Sequence, residues 1–374
     1  MNPTIMAGIP SHNLALYHRI RFLLGDPTVI IETDQGSTLL VRDIELDRAR
    51  AHANADRCAS PNDFEPEGGL SGDRETAFAQ AATECLRRQG VTEVTADRSM
   101  PLLYWKILTD GGIRVVCDPE MRLLDRRRKD EHEIARLAEA QKATEDAMEM
   151  ACRLVATASA RADGTLEAEG VPLTSEVLRA EIDALLLRQG YSNTPSIVAC
   201  GAQGADCHDR GTGPIRTGET VIIDIFPQNK TTLYNGDCTR TVVHGDIPDE
   251  VRALHETVLL AKRRAIEVVR TGATGEEVHL ASVRTMTEAG YAMGPFTDDR
   301  AHMTHGTGHG IGLEVHEPPL LDVKGPALVR GDALTIEPGL YRQGLGGVRI
   351  EDMVIVTDEG SRNLNSLHEG LDWR

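Results

Sequence analysis

Two stretches in the second half of this chain repeat one plan, and that repeat limits the folds open to it. A helical segment around Ala147-Met148-Glu149-Met150 is echoed by one around Ala265-Ile266-Glu267-Val268. Each precedes a second helical segment, over 175–188 and 275–288, that closes on Gly190-Tyr191 or Gly290-Tyr291. Thr274 followed by Glu277 starts the later copy with a capping box. Two helix pairs, each followed by strands, imply a pseudo-two-fold α+β domain with its helices outside a curved sheet. A site between the two halves is the natural expectation.

Ahead of the repeat, residues 1–125 read as a smaller α/β unit. PTVIIET and STLLVRD predict strands, 45–55 and 75–89 predict helices, and VTEVTAD and IRVVCD predict further strands, with SPNDFEPEGGLSGD as a loop. The run DRRRK at 125–129 reads as a solvated connector, since four positive charges are costly to bury together. A long amphipathic helix follows, with Ile134, Leu137, Gln141, Met148, Ala151 and Val155 near one face and Asp130 with Glu133 as its cap. The second domain therefore spans 126–374.

A net charge of -18 and a pI near 5.2 argue against nucleic acid or an anionic membrane as partner. No window has the apolar length of a membrane span, and the start MNPTIMAGIPSHNLALYHRI lacks the layout of a signal peptide, so the cytoplasm is the expected compartment. The 7 cysteines are scattered without a C-x-x-C pair, which indicates neither a disulfide framework nor a zinc knuckle.

Chemistry enters through carboxylates placed in apolar strands. TVIIDIF carries Asp224 in its middle, and GDCTRTVVH brings Asp237 to the start of the next strand. A buried carboxylate must be protonated, paired or metal-bound. The alternative for these two is that one aspartate forms an ion pair with Arg240 and the other caps a turn. DALTIEPGLY holds Glu337 at a strand end, where the following proline keeps it extended. GVRIEDMVIV reads as one strand on which Arg349 and Glu351 share a face, either as an ion pair or with Arg349 orienting a carboxylate. THGTGHGIGLEVH adds His305, His309 and His316 on a backbone too rich in glycine for a helix. It is not a dinucleotide fingerprint, because Ile311 stands where a third glycine is required. Asp224, Asp237, Glu337 and Glu351 together with His309 make a hard donor set. Four negative charges in one interior call for two divalent cations, with manganese favoured and cobalt, iron or zinc as alternatives.

The ordered set VIID, GDCTRT, GTGHGIGLEVH, TIEPGLY and VRIED resembles the pita-bread metallopeptidases, in particular the Xaa-Pro aminopeptidase and prolidase branch. The likeness covers 126–374 by motif, and the first unit resembles a creatinase-type N-terminal domain. It implies Asp224, Asp237, His309, Glu337 and Glu351 as metal ligands, with Asp237 bridging both ions. It further implies Glu337, His316 and His208 as catalytic groups, and His305, His316, Tyr341 and Arg349 as the lining of the substrate site. The turn between Asp224 and Asp237 is longer than is usual in the family. The activity implied is metal-assisted hydrolysis of Xaa-Pro bonds at peptide N-termini by a homodimer, with Xaa-Pro dipeptidase as the alternative. A metal-dependent lyase or hydrolase of a small non-peptide substrate on the same fold and a non-catalytic peptide-binding module are the rivals. Loss of any ligand would favour the module, and none is lost.

Overall fold

A computed structural model describes residues 2–374, which form two compact units, one ending at Arg126 and the other comprising Arg127–Arg374. The first unit is built on a six-stranded sheet in the spatial order Arg57–Ala59, Gly36–Leu40, Thr28–Thr33, Thr4–Gly8, Glu93–Asp97, Arg114–Asp118. Thr4–Gly8 lies inside this sheet, antiparallel to Thr28–Thr33 and parallel to Glu93–Asp97. The sequence reading lacked this strand, because TIMAG is buried on both faces and shows no alternation. It also lacked the Leu102–Asp110 helix, whose exposed Leu102 and Trp105 blur the amphipathic pattern.

In the second unit the helix pairs are Glu131–Thr157 with Ser175–Arg188, and Asp249–Val268 with Gly275–Glu288. Both capping boxes form, Asp130 with Glu133 and Thr274 with Glu277. Against the first pair lies an antiparallel sheet ordered Ile197–Cys200, Thr220–Ile225, Cys238–Val243. Val221, Ile223 and Ile225 pack with Met148, Ala151, Leu178 and Ile182. Strand alternation therefore sends Asp224 to the opposite face. The second pair packs through Ala265 and Val278 on Leu334, Ile336, Val354 and Val356. The same alternation turns Thr335 and Glu337 away from those helices. Both halves thus bury one sheet face under helices and aim carboxylates from the other.

Two sequence expectations are corrected here. The 346–356 segment is two strands, Gly346–Arg349 and Asp352–Val356, in different sheets. Glu351 sits at the switch, its N–H donating to the Thr239 carbonyl at 3.1 Å. The DRRRK run is not wholly solvated either. Lys129 is buried and donates to Glu317 Oε1 at 2.7 Å, and Arg127 grips the fully buried Asp332 at 2.7 and 2.9 Å. Each cation is taken singly by its own carboxylate, so the cost of burying four together does not arise.

In the first unit Glu32 receives Arg19 and Arg122, each at 2.7 Å. Burial pushes its carboxyl up, yet the Arg19 hydrogen bond and the two guanidinium charges hold it below its ordinary value. The stability this contributes is present above the unfolded carboxyl's pKa and is lost as pH falls through the folded one. Glu32→Gln is expected to cost about 1 kcal/mol in urea unfolding at pH 7. The deficit should shrink as pH falls below the unfolded carboxyl's pKa, and an equal deficit at neutral and acidic pH would refute the charge argument.

Candidate metal centre

Asp224, Asp237, His309, Glu337, Arg349 and Glu351 line one cleft of about 280 Å³ in the second unit, together with His208, His305 and His316. Antiparallel pairing sets Asp224 opposite Thr239, two residues beyond Asp237, which brings both aspartates to one end of the sheet. His309 lies in the Gly308–Gly310 strand, paired with Glu317–Leu321 and Ala333–Ile336, the latter leading directly into Glu337. A Cβ at Gly308 would fall 2.0 Å from the Thr335 carbonyl, so glycine is required for this approach. Its φ of +158° is moreover one that L side chains rarely adopt.

His309 Nε2 points into the cluster, 3.2 Å from Glu337 Oε1 and 3.8 Å from Asp237 Oδ2, while Nδ1 meets the Gly310 carbonyl at 3.1 Å. One donor atom each from Asp237, His309 and Glu351 lies within 4.8 Å of the other two. Glu351 Oε2 accepts from Thr239 Oγ1 at 2.8 Å. Asp224 Oδ2 accepts from Arg349 at 2.8 Å, whereas its buried Oδ1 has no hydrogen-bond partner among the described residues. The alternative in which one of the two aspartates pairs with Arg240 is not what forms, since Arg240 binds Asp352 at 2.9 Å.

Burial, then the neighbouring carboxylates, push Asp237 and Glu351 well above the usual range. Asp224 is raised by burial, with Arg349 opposing. Burial also works to raise Glu337, but the His309 hydrogen bond and charge outweigh it and hold Glu337 at about 2. Three carboxyls that resist ionisation, an orphaned carboxylate oxygen and one inward imidazole fit a divalent cation. Its charge would offset the repulsion, and hard oxygen donors with imidazole suit it.

The other expected site residues divide. His316 is exposed on the cleft wall with its ring 4.3 Å from that of His309, and partial burial and then His309 lower its pKa. His208 is exposed on the same wall. His305 lines the cleft, but its Nδ1 meets the Gly306 carbonyl and its Nε2 the Tyr341 hydroxyl, both at 2.7 Å. Tyr341 departs from the expectation that it contacts substrate. It is fully buried off the cleft, and its hydroxyl also takes Arg349 Nη1 at 2.9 Å. Arg349 likewise spends its donors on Asp224, Tyr341 and the Cys207 carbonyl. Tyr341 therefore acts through other residues of the centre, whereas Arg349 still lines the cleft. Sequence reasoning missed Thr239 and the apolar wall of Ile197, Phe226, Val315 and Leu320. GDCTRT carried Thr239 in view, but nothing in spacing marks a threonine as a carboxylate's donor.

Paired helix layers over sheets whose free faces aim carboxylates and one imidazole into a cleft define the class as a pita-bread protein with a candidate centre for divalent metal. The chain belongs to metallopeptidase family M24, whose profile matches residues 135–358. The probable dipeptidase PepE of Mycobacterium tuberculosis is 35% identical over 277 residues, covering 72% of this chain and 66% of that protein. The Xaa-Pro dipeptidase of Pyrococcus furiosus is 34% identical over 196 residues, 51% of this chain and 53% of the relative. The chain thus aligns with between half and two thirds of the length of these relatives. In fold it matches an Xaa-Pro dipeptidase from Bacillus anthracis, with a TM-score of 0.82 at 22% identity over 99% of this chain and 94% of the other. It also matches an X-Pro aminopeptidase from Thermotoga maritima, with a TM-score of 0.80 at 21% identity over 98% and 96%. The family and fold implied by the motifs are borne out. No helix among the described residues is long and apolar enough to cross a membrane.

The raised carboxyls of Asp224, Asp237 and Glu351 set a pH dependence. Without metal, an acid raised in the folded state contributes stability below its unfolded pKa and loses it as pH climbs through the folded one. Metal must displace those protons, so it competes better at high pH. A saturating divalent ion is expected to raise the unfolding temperature by several degrees more at pH 8 than at pH 5. Equal shifts in differential scanning calorimetry would contradict the cluster.

Proposed function

We propose that this chain is a metal-dependent peptidase for Xaa-Pro bonds, with two divalent ions, manganese in the first instance, held by Asp224, Asp237, His309, Glu337 and Glu351. The observation that carries the reading is the convergence of four carboxylates and one imidazole Nε2 on a single cleft, with Asp224 Oδ1 left unpaired. The relatives named as dipeptidases are 34–35% identical, whereas the aminopeptidase resembles the chain in fold alone. This favours Xaa-Pro dipeptidase over the aminopeptidase that led the sequence reading. A cytoplasmic homodimer rests on the family resemblance.

Bound ions would polarise the scissile carbonyl and make a water acidic enough to attack at neutral pH. Glu337, whose ionised form the bound ions would favour, takes the proton from the attacking water on a carboxylate oxygen and passes it to the departing proline nitrogen. His316, kept neutral, donates an N–H to the carbonyl oxygen as charge develops there. His208 meets the leaving side of the substrate from its exposed position. His305, with both nitrogens committed to Gly306 and Tyr341, offers a fixed ring surface. Ile197, Phe226, Val315 and Leu320 give a pyrrolidine ring an apolar wall to pack on.

The manganese-loaded protein is to be assayed on a Gly-Pro dipeptide, a longer Xaa-Pro peptide and peptides without proline. Gly-Pro is expected to be cleaved fastest, and Glu337→Ala to lower kcat about a thousandfold. Preference for the longer peptide would return the reading to aminopeptidase. Unchanged turnover in Glu337→Ala would overturn the site, and no cleavage of any peptide would favour the lyase.

A further inference from the structure

Asp237 is the last residue before the Cys238–Val243 strand, and its own peptide groups lie outside the ladder, which ends at the Ile225–Cys238 pair. A side chain from the long helix takes the place of a neighbouring strand. Gln141, fully buried in Glu131–Thr157, accepts from the Asp237 N–H through Oε1 at 2.9 Å and donates from Nε2 to the Asp237 carbonyl at 2.7 Å. These are the paired bonds that an antiparallel strand would make.

The same Nε2 reaches Asn365 Oδ1 at 3.0 Å, and that oxygen also accepts from the Met353 N–H at 2.8 Å, two residues past Glu351. One amide pair therefore ties the peptide of Asp237 to the strand that follows Glu351. Gly236 adds an independent sign that this segment is pressed onto the helix. A Cβ there would lie 2.1 Å from Thr144 Oγ1 and 2.7 Å from the Ala140 carbonyl.

Such a restraint answers a specific load. Asp237 is surrounded by Glu351, Asp224 and Glu337, whose charges oppose its own. A carboxylate at a strand end would relieve that repulsion by rotating its peptide outward. We propose that Gln141 is a positioning residue that holds the Asp237 peptide in register with Glu351 and so sets the divalent-metal affinity of the centre. This rests on the reading of Asp237 as a ligand, and Asn365 is the outer anchor of the clamp.

The test is calorimetric titration of Mn2+ into the chelator-treated full chain. Gln141→Met keeps length and helix propensity but removes both hydrogen bonds, and is expected to weaken binding about 10- to 100-fold, as loss of a ligand's support does. Met148→Ala, two turns along the same helix and buried in the core, is the structural control. It is expected to lower the unfolding temperature and leave Mn2+ affinity within about twofold of native. Equal loss of affinity in the two variants, or native affinity in Gln141→Met, overturns the proposal. Should Gln141→Met not fold, Gln141→Glu keeps the acceptor and loses the donor. A fall in affinity there supports the clamp, and native affinity overturns it. Asp237→Asn separates the inference from its foundation. Native Mn2+ binding by that variant sinks the ligand assignment itself, whereas lost binding there with native binding in Gln141→Met sinks the clamp alone.

Discussion

Mutual repulsion among four crowded carboxylates, Asp237 and Glu351 buried and Asp224 and Glu337 partly so, is the constraint on which the second unit depends. Two like charges 4 Å apart oppose one another by about 4 kcal/mol at the effective dielectric of a protein. Several such pairs exceed what any single contact returns. The cleft answers with countercharge and with rigidity. Arg349 is placed on Asp224, His309 on Glu337, and Thr239 donates to Glu351. A divalent cation would complete the balance that these groups only begin.

The scaffold behind the cleft supplies the rigidity. Arg240 and Lys262 are both buried and converge on Asp352 at 2.9 and 2.6 Å. Neighbours in sequence thus meet opposite fates. Burial works to raise both, but for Asp352 the charges of Lys262 and Arg240 win and lower it, whereas Glu351 faces other carboxylates and rises. The strand switch between Arg349 and Asp352 makes this division, turning one acid to the cleft and the next to a cationic layer. Tyr341 serves the same end, joining His305 to Arg349 through one hydroxyl.

What could be read in advance followed from local chemistry. Helix periodicity and capping residues gave the long helix and its repeat partner, and single acids in apolar runs gave Asp224 and Glu337. The misreadings share one cause, which is that they concern partners distant in sequence. Thr4–Gly8 is a strand because it has neighbours on both sides, a fact absent from five apolar residues. Lys129 is buried because Glu317 meets it from 188 residues away. Tyr341 is removed from the cleft because Arg349 and His305 claim its hydroxyl, although its motif had suggested a substrate contact.

The sequence by itself singled out the candidate groups for the chemistry, since a carboxylate in a buried strand and a histidine among glycines have few inexpensive states open to them. The spacing of those motifs also determined the family and the fold. Only the tertiary structure decided how the groups divide the work. It left Asp224 Oδ1 unpaired, pinned both nitrogens of His305, and brought Gln141 from a distant helix to hold the Asp237 peptide. The physical reason is that hydrogen bonding and charge depend on separations of a few ångströms in space. Residues hundreds of positions apart reach such separations only when the sheets and helices have packed.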